Sequence, residues 1–125
     1  MEKFTEHQKR RIKDALRIMR ETSGEKYEII RDVHRMDPNH IENGESFPTL
    51  GTIINYCQVF SMCPGWLVLL SCQVDKGKIK EEEFFEMIKN WKSYMQLAEM
   101  KMDELMTMIR GGQGRFNYEQ FNTTT

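Results

Sequence analysis

Ile41-Glu42-Asn43-Gly44-Glu45-Ser46-Phe47-Pro48-Thr49-Leu50 is the stretch from which the fold is read. A short helical segment runs into a glycine, a brief loop follows, and a new helix starts at a proline. Just upstream, Asp37-Pro38 marks where the short helix begins. An aspartate at the N-cap accepts the free backbone N–H groups of the first turn. Proline suits the first helical position, where its missing donor costs nothing. The segment Pro38–Asn43 fits between these signals and Gly44, which closes it.

Downstream, the spacing predicts a helix over residues 48–60. Its apolar stripe is Leu50, Ile53, Ile54, Cys57 and Phe60. Ser61-Met62-Cys63-Pro64-Gly65-Trp66-Leu67 then opens another over 64–73. Trp66, Leu67, Leu69 and Leu70 make that helix nearly all apolar, so burial on more than one side is expected. Upstream, residues 6–22 read as a first helix, capped by Thr5, with Ile12, Ala15, Leu16 and Met19 on one face. Arg10, Lys13, Arg17 and Arg20 recur at helical spacing and form a basic stripe on another face. Such a stripe is either a solvated surface or a line of phosphate contacts. Ser23-Gly24 ends this helix. A second is expected from Glu25 to His34, with Tyr27 and Ile30 on one face, Ile29 and Val33 beside them, and His34 packing in the turn. Glu42 is expected to bond locally at its helix end.

Asp75-Lys76-Gly77-Lys78 is turn-like and suggests a linker over 75–79. Beyond it, residues 80–110 read as one long helix. Phe84, Ile88, Trp91, Met95, Ala98, Met102, Leu105 and Ile109 alternate by four and three, which is a heptad seam. A lone helix cannot bury such a seam. Its partner is either a second copy of the chain or the rest of this one. For a homodimer, the contact residues expected are Phe84, Ile88, Trp91, Met95, Met102, Leu105 and Ile109. Gly111-Gly112 stops the helix, and the polar stretch 111–125 reads as a flexible tail.

Composition narrows the function classes. Charged residues make up 30% and apolar ones 39% of 125, as in a soluble helical protein. No apolar run approaches the ~18 residues of a membrane span, and no signal-peptide pattern opens the chain, so a cytoplasmic location is expected. Cys57, Cys63 and Cys72 lack the close spacing of zinc ligands; Cys57 and Cys72 read as small core residues. No catalytic constellation or phosphate-binding glycine loop is present in the sequence, so no enzyme, metal or cofactor is expected. Net charge is −1, and residues 1–75 carry ten basic and eleven acidic side chains. Nucleic-acid affinity rests on phosphate neutralisation. A DNA-binding reading therefore depends on where the charges sit.

The order of elements over residues 6–73 resembles the XRE (Cro/lambda-repressor-like) helix-turn-helix family. The Ile41-Glu42-Asn43-Gly44 turn, Pro48, Leu50, Ile53, Ile54, Cys57, Phe60, Pro64 and Trp66-Leu67 match that family's second half. The sequence departs from it at Glu25-Lys26, where the family has Ser-Gln, and at Glu45, where it has a base. Val33 to Ile41 is also about two residues shorter than in the family. The resemblance implies an all-α fold: a five-helix lambda-repressor-like helix-turn-helix domain (1–74) followed by a long C-terminal helix. It also implies a dimeric, sequence-specific regulator of bacterial or phage type that occupies a double-stranded DNA operator. Lys26, Arg35, Asn39, His40, Asn43, Arg10 and Arg17 would contact the DNA, with residues 38–43 in the major groove. The alternative is a protein-binding module, an antirepressor or adaptor, that keeps the fold without the DNA site.

Overall fold

The computed structural model describes residues 4–111. They form seven helices and, among the described residues, no strand: α1 Glu6–Ser23, α2 Tyr27–Asp32, α3 Pro38–Asn43, α4 Leu50–Val59, α5 Pro64–Asp75, α6 Glu81–Lys89 and α7 Trp91–Gly111. The fold is therefore all-α. The tail expected over 111–125 lies outside the described residues, apart from Gly111 at the end of α7.

Local capping sets most of the boundaries. Thr5 and Gln8 close a capping box: the Gln8 N–H donates to Thr5 Oγ1 at 3.1 Å, and the Thr5 N–H donates to Gln8 Oε1 at 2.8 Å. Gly24 ends α1 at φ 73, a left-handed conformation that glycine adopts without the steric penalty of a Cβ. Asp37 caps α3, with Pro38 at its first position, as the sequence predicts. The fourth helix starts later than expected. The Thr49 hydroxyl accepts from the Thr52 N–H at 3.2 Å, so Pro48 precedes the helix instead of opening it.

The chain forms two units, Met1–Lys92 and Ser93–Thr125. In the first, α1 packs against α3, α5 and α6, and α4 packs against α5. The chain bends by 112° between α4 and α5. Leu16, Met19, Ile30, Tyr56, Cys57, Leu67, Phe84, Ile88 and Trp91 are all fully buried. Other residues of the expected faces are not. Leu50 is 66% exposed and Leu69 is 59% exposed, with Ile54 and Trp66 half-buried, so α4 and α5 bury narrower faces than their composition suggests; Ile29 and Val33, expected beside Ile30, are exposed as well. Burial pushes the Cys57 thiol up to about 12, because a thiolate there would lose its hydration, with the nearby Cys63 adding to the effect.

The C-terminal helix expected over 80–110 is two helices. α6 ends at Asn90, whose amide side chain donates to the Glu86 carbonyl at 2.9 Å. Phe84 and Ile88 on α6, and Trp91 at the start of α7, pack inside the first unit instead of forming a dimer seam. Trp91 Nε1 donates to the Phe60 carbonyl at 3.1 Å, so the one polar atom of that buried ring is satisfied. The compact unit thus runs through Lys92, and the boundary expected at 75–79 is only a turn within it. Arg11 helps hold that turn: buried on α1, its Nη1 donates to the Ser71 carbonyl at 3.2 Å, to Ser71 Oγ at 3.0 Å and to Asp75 at 3.0 Å. In the second unit α7 continues to Gly111 with Leu97, Met100, Met102, Leu105, Met106 and Met108 exposed. No single helix among the described residues is long and apolar enough to cross a membrane.

Candidate nucleic-acid interface

The six residues of α3 divide cleanly. Pro38, Ile41 and Glu42 are buried, whereas Asn39, His40 and Asn43 are exposed. Positions i, i+3 and i+4 share one helical face, so the apolar anchor and the polar row fall on opposite sides. Asn43 Nδ2 donates to Asn39 Oδ1 at 3.1 Å, which couples the two carboxamides.

Glu42 fixes this helix. Contrary to the expectation from sequence, it does not bond locally at its helix end. Its carboxylate accepts from Arg20 Nε at 2.7 Å and Nη2 at 2.8 Å, and also from the Tyr56 hydroxyl. One buried carboxylate therefore ties α1, α3 and α4. Burial, and next the hydrogen bond to Glu42, push the Tyr56 phenol well above its ordinary range.

The Asp37 cap is similarly occupied. Its carboxylate accepts from the Tyr27 hydroxyl, from the Asn39 N–H at 3.1 Å and from the His40 N–H at 3.4 Å. The Tyr27 hydrogen bond contributes most to holding Asp37 below the usual carboxylate range. Between α2 and α3, Arg35 is exposed with φ at 59, one of two non-glycine residues in the left-handed region among those described. Lys26 precedes α2 at the N-cap and is exposed. His34 is exposed too and does not pack in the turn.

The basic stripe of α1 is largely consumed by the fold. Arg20 is bound to Glu42. Lys13 Nζ donates to the Gly44 carbonyl at 2.6 Å. Arg17 pairs with Asp14 at 3.0 Å and Glu21 at 3.7 Å. Of the four, only Arg10 has no ion pair or hydrogen-bond partner among the described residues. Arg17, expected as a phosphate contact, is half-exposed with its charge already offset by two carboxylates.

Two open grooves flank α3. One, of about 650 Å³, runs between α1 and the loop after α3. It brings together Arg10, Arg17 and Asn43, but also Glu6, Asp14 and Glu45. The other, of about 630 Å³, lies between the α2–α3 turn and α4. It is lined by Arg35 and His40, by His34 and Met36 of the turn, and by Thr52, Asn55 and Gln58 of α4. Lys26 and Asn39 line neither groove. The α4 residues escape a sequence reading, although their i, i+3, i+6 spacing opposite Ile53, Tyr56 and Cys57 was available as a signal. Of the expected dimer residues outside the first unit, Met102 and Leu105 are exposed, and Met95 and Ile109 are half-buried.

Compared with known proteins, the chain matches no family model, no curated protein and no solved structure.

Proposed function

We propose that this chain is a sequence-specific DNA-binding regulator of the helix-turn-helix type, acting as a dimer on a double-stranded operator. One observation carries the reading: a short helix, α3, is anchored through the buried Glu42 and turns Asn39, His40 and Asn43 outward. A reading helix needs a fixed angle and exposed polar groups, because a misplaced side chain cannot reach a base edge. Asparagine pairs in bidentate fashion with adenine, and arginine with guanine. Asn39, His40 and Arg35 are the candidate base contacts. Asn43, Lys26 and Arg10 are candidate backbone contacts, with Arg17 contributing only by exchanging its carboxylates for a phosphate. The resemblance of residues 6–73 to the XRE family supports the same reading.

Dimerisation would place two reading helices on half-sites about 34 Å apart. The residues proposed for it are Met95, Met102, Leu105 and Ile109 of α7, since Phe84, Ile88 and Trp91 are already buried. The test is enrichment of bound sequences from random duplex DNA at low and physiological salt. A palindromic site that is lost in Asn39→Ala and Arg35→Ala supports the reading. Absence of salt-dependent binding even at low salt would end it.

A second reading, a protein-binding module such as an antirepressor or adaptor, is favoured by one specific observation. Three of the four bases in the α1 stripe, Lys13, Arg17 and Arg20, are tied to carboxylates or to a carbonyl, and Glu45 lies in the same groove. Under that reading the exposed Leu97, Met100, Met102 and Met108 would form the contact surface. Specific capture of a protein together with no DNA enrichment would favour it.

A further inference from the structure

The two grooves beside α3 differ in electrostatic kind. The groove along α1 sets its bases against Glu6, Asp14 and Glu45. The groove along α4 holds Arg35, His34 and His40 and a single acid, Asp37. That acid is occupied by the Tyr27 hydroxyl and two backbone N–H groups. The opposite wall comes from α4, a ten-residue helix, LGTIINYCQV, without one charged side chain. From it Thr52, Asn55 and Gln58 line the groove with a hydroxyl and two carboxamides.

Such a lining suits a phosphodiester chain. Arginine supplies the charge, while carboxamides and hydroxyls donate to phosphate oxygens without adding a repelling carboxylate. The groove is open, unlike the enclosed apolar pockets that hold small molecules, and its polar side chains alternate with Met36, Ile41 and Val59. It is also continuous with the proposed reading surface, because Arg35 and His40 belong to both. Arg35 keeps a left-handed backbone that non-glycine residues adopt at a cost, and such outliers concentrate where function constrains the chain.

We infer that Asn55 and Gln58 of α4, facing Arg35 across this groove, grip the sugar–phosphate backbone of the duplex whose bases α3 reads. The inference rests on the DNA-binding reading above and extends the interface onto a helix that the reading does not include. Asn55 and Gln58 are positioning contacts: they set where α3 sits without reading sequence.

The test uses the full chain and random-sequence duplex DNA, titrated over a range of salt. Asn55 and Gln58 are exposed, so substitution should leave thermal unfolding unchanged, which is checked on each variant. The neutral pair Asn55→Ala with Gln58→Ala removes the contact without altering charge. It is expected to weaken binding about tenfold with an unchanged salt slope, since no cation is lost. Gln58→Lys is expected to tighten binding and steepen the logarithmic salt slope by about 0.9, one added phosphate contact. If the wild type binds and Arg35→Ala weakens it, yet both α4 variants behave as wild type, the inference is overturned and the DNA reading stands. If the wild type shows no salt-dependent binding, both fall together.

Discussion

Glu42 is the residue on which the proposed interface depends. A carboxylate this deeply buried persists only with compensating donors, and here Arg20 supplies two and Tyr56 a third. Removing one partner leaves the other uncompensated. Glu42→Ala is expected to cost about 3 kcal/mol, the low end of the range for buried pairs, because Arg20 is partly exposed and can rehydrate. Denaturant unfolding measures this; a loss below about 1 kcal/mol would mean that apolar packing, and not the ion pair, fixes α3. Titration gives a second prediction. The Tyr56 phenol and the Cys57 thiol are both raised in the folded chain, and both are neutral when protonated. Their stabilisation is fully present below the unfolded values and is lost as pH rises through the folded ones. Stability should therefore begin to decline near pH 9, through Cys57, and continue above pH 10, through Tyr56. Cys57→Ala should flatten the first part of that decline in unfolding curves taken at successive pH values. The burial of Cys57 is legible in its apolar stripe, but the Glu42 cluster is not. Glu42 is one polar residue in a short helix, and its two side-chain partners come from positions 20 and 56, which only tertiary packing brings near.

At the scale of elements, helix boundaries are legible wherever a cap is a local event. Thr5 with Gln8, Asp37 with Pro38, and Gly24 all act on backbone within a few residues, so the sequence carries them directly. Pro48 misled for a related reason. Proline marks a helix start only if the residue before it can serve as the cap, and here Thr49, one position later, supplies the accepting hydroxyl. Thr49→Ala is accordingly expected to cost about 1 kcal/mol, whereas Thr49→Asp should be close to neutral. Comparison of thermal midpoints would decide; an unchanged midpoint for the alanine variant would place the cap elsewhere. The basic stripe of α1 shows the opposite case. Its spacing gives one face, yet three of its four charges are spent on Asp14, Glu21, Glu42 and the Gly44 carbonyl, and only Arg10 is left without a partner among the described residues. Periodicity assigns side chains to a face; it does not say what the facing element offers them.

At the scale of the molecule, the largest difference from expectation is the fate of the C-terminal seam. A repeat of four and three is satisfied equally by a second chain and by a helix that packs on its own domain. The break at Asn90 and the burial of Phe84, Ile88 and Trp91 select the second for residues 81–91. A chain cut after Val74 should therefore fail to unfold cooperatively, because those three side chains leave a large apolar void. A chain cut after Lys92 should unfold in one transition near that of the full protein. Cooperative unfolding of the shorter chain would show that α6 is dispensable. The sequence by itself determined the all-α class and the five N-terminal helices, because capping and helical periodicity are local properties. Only the tertiary structure decided that α6 closes the core, that Glu42 holds α3, and that an uncharged face of α4 lies beside it. Each of these depends on contacts between residues far apart in the chain, and nothing local encodes which of several chemically equivalent partners a side chain will meet.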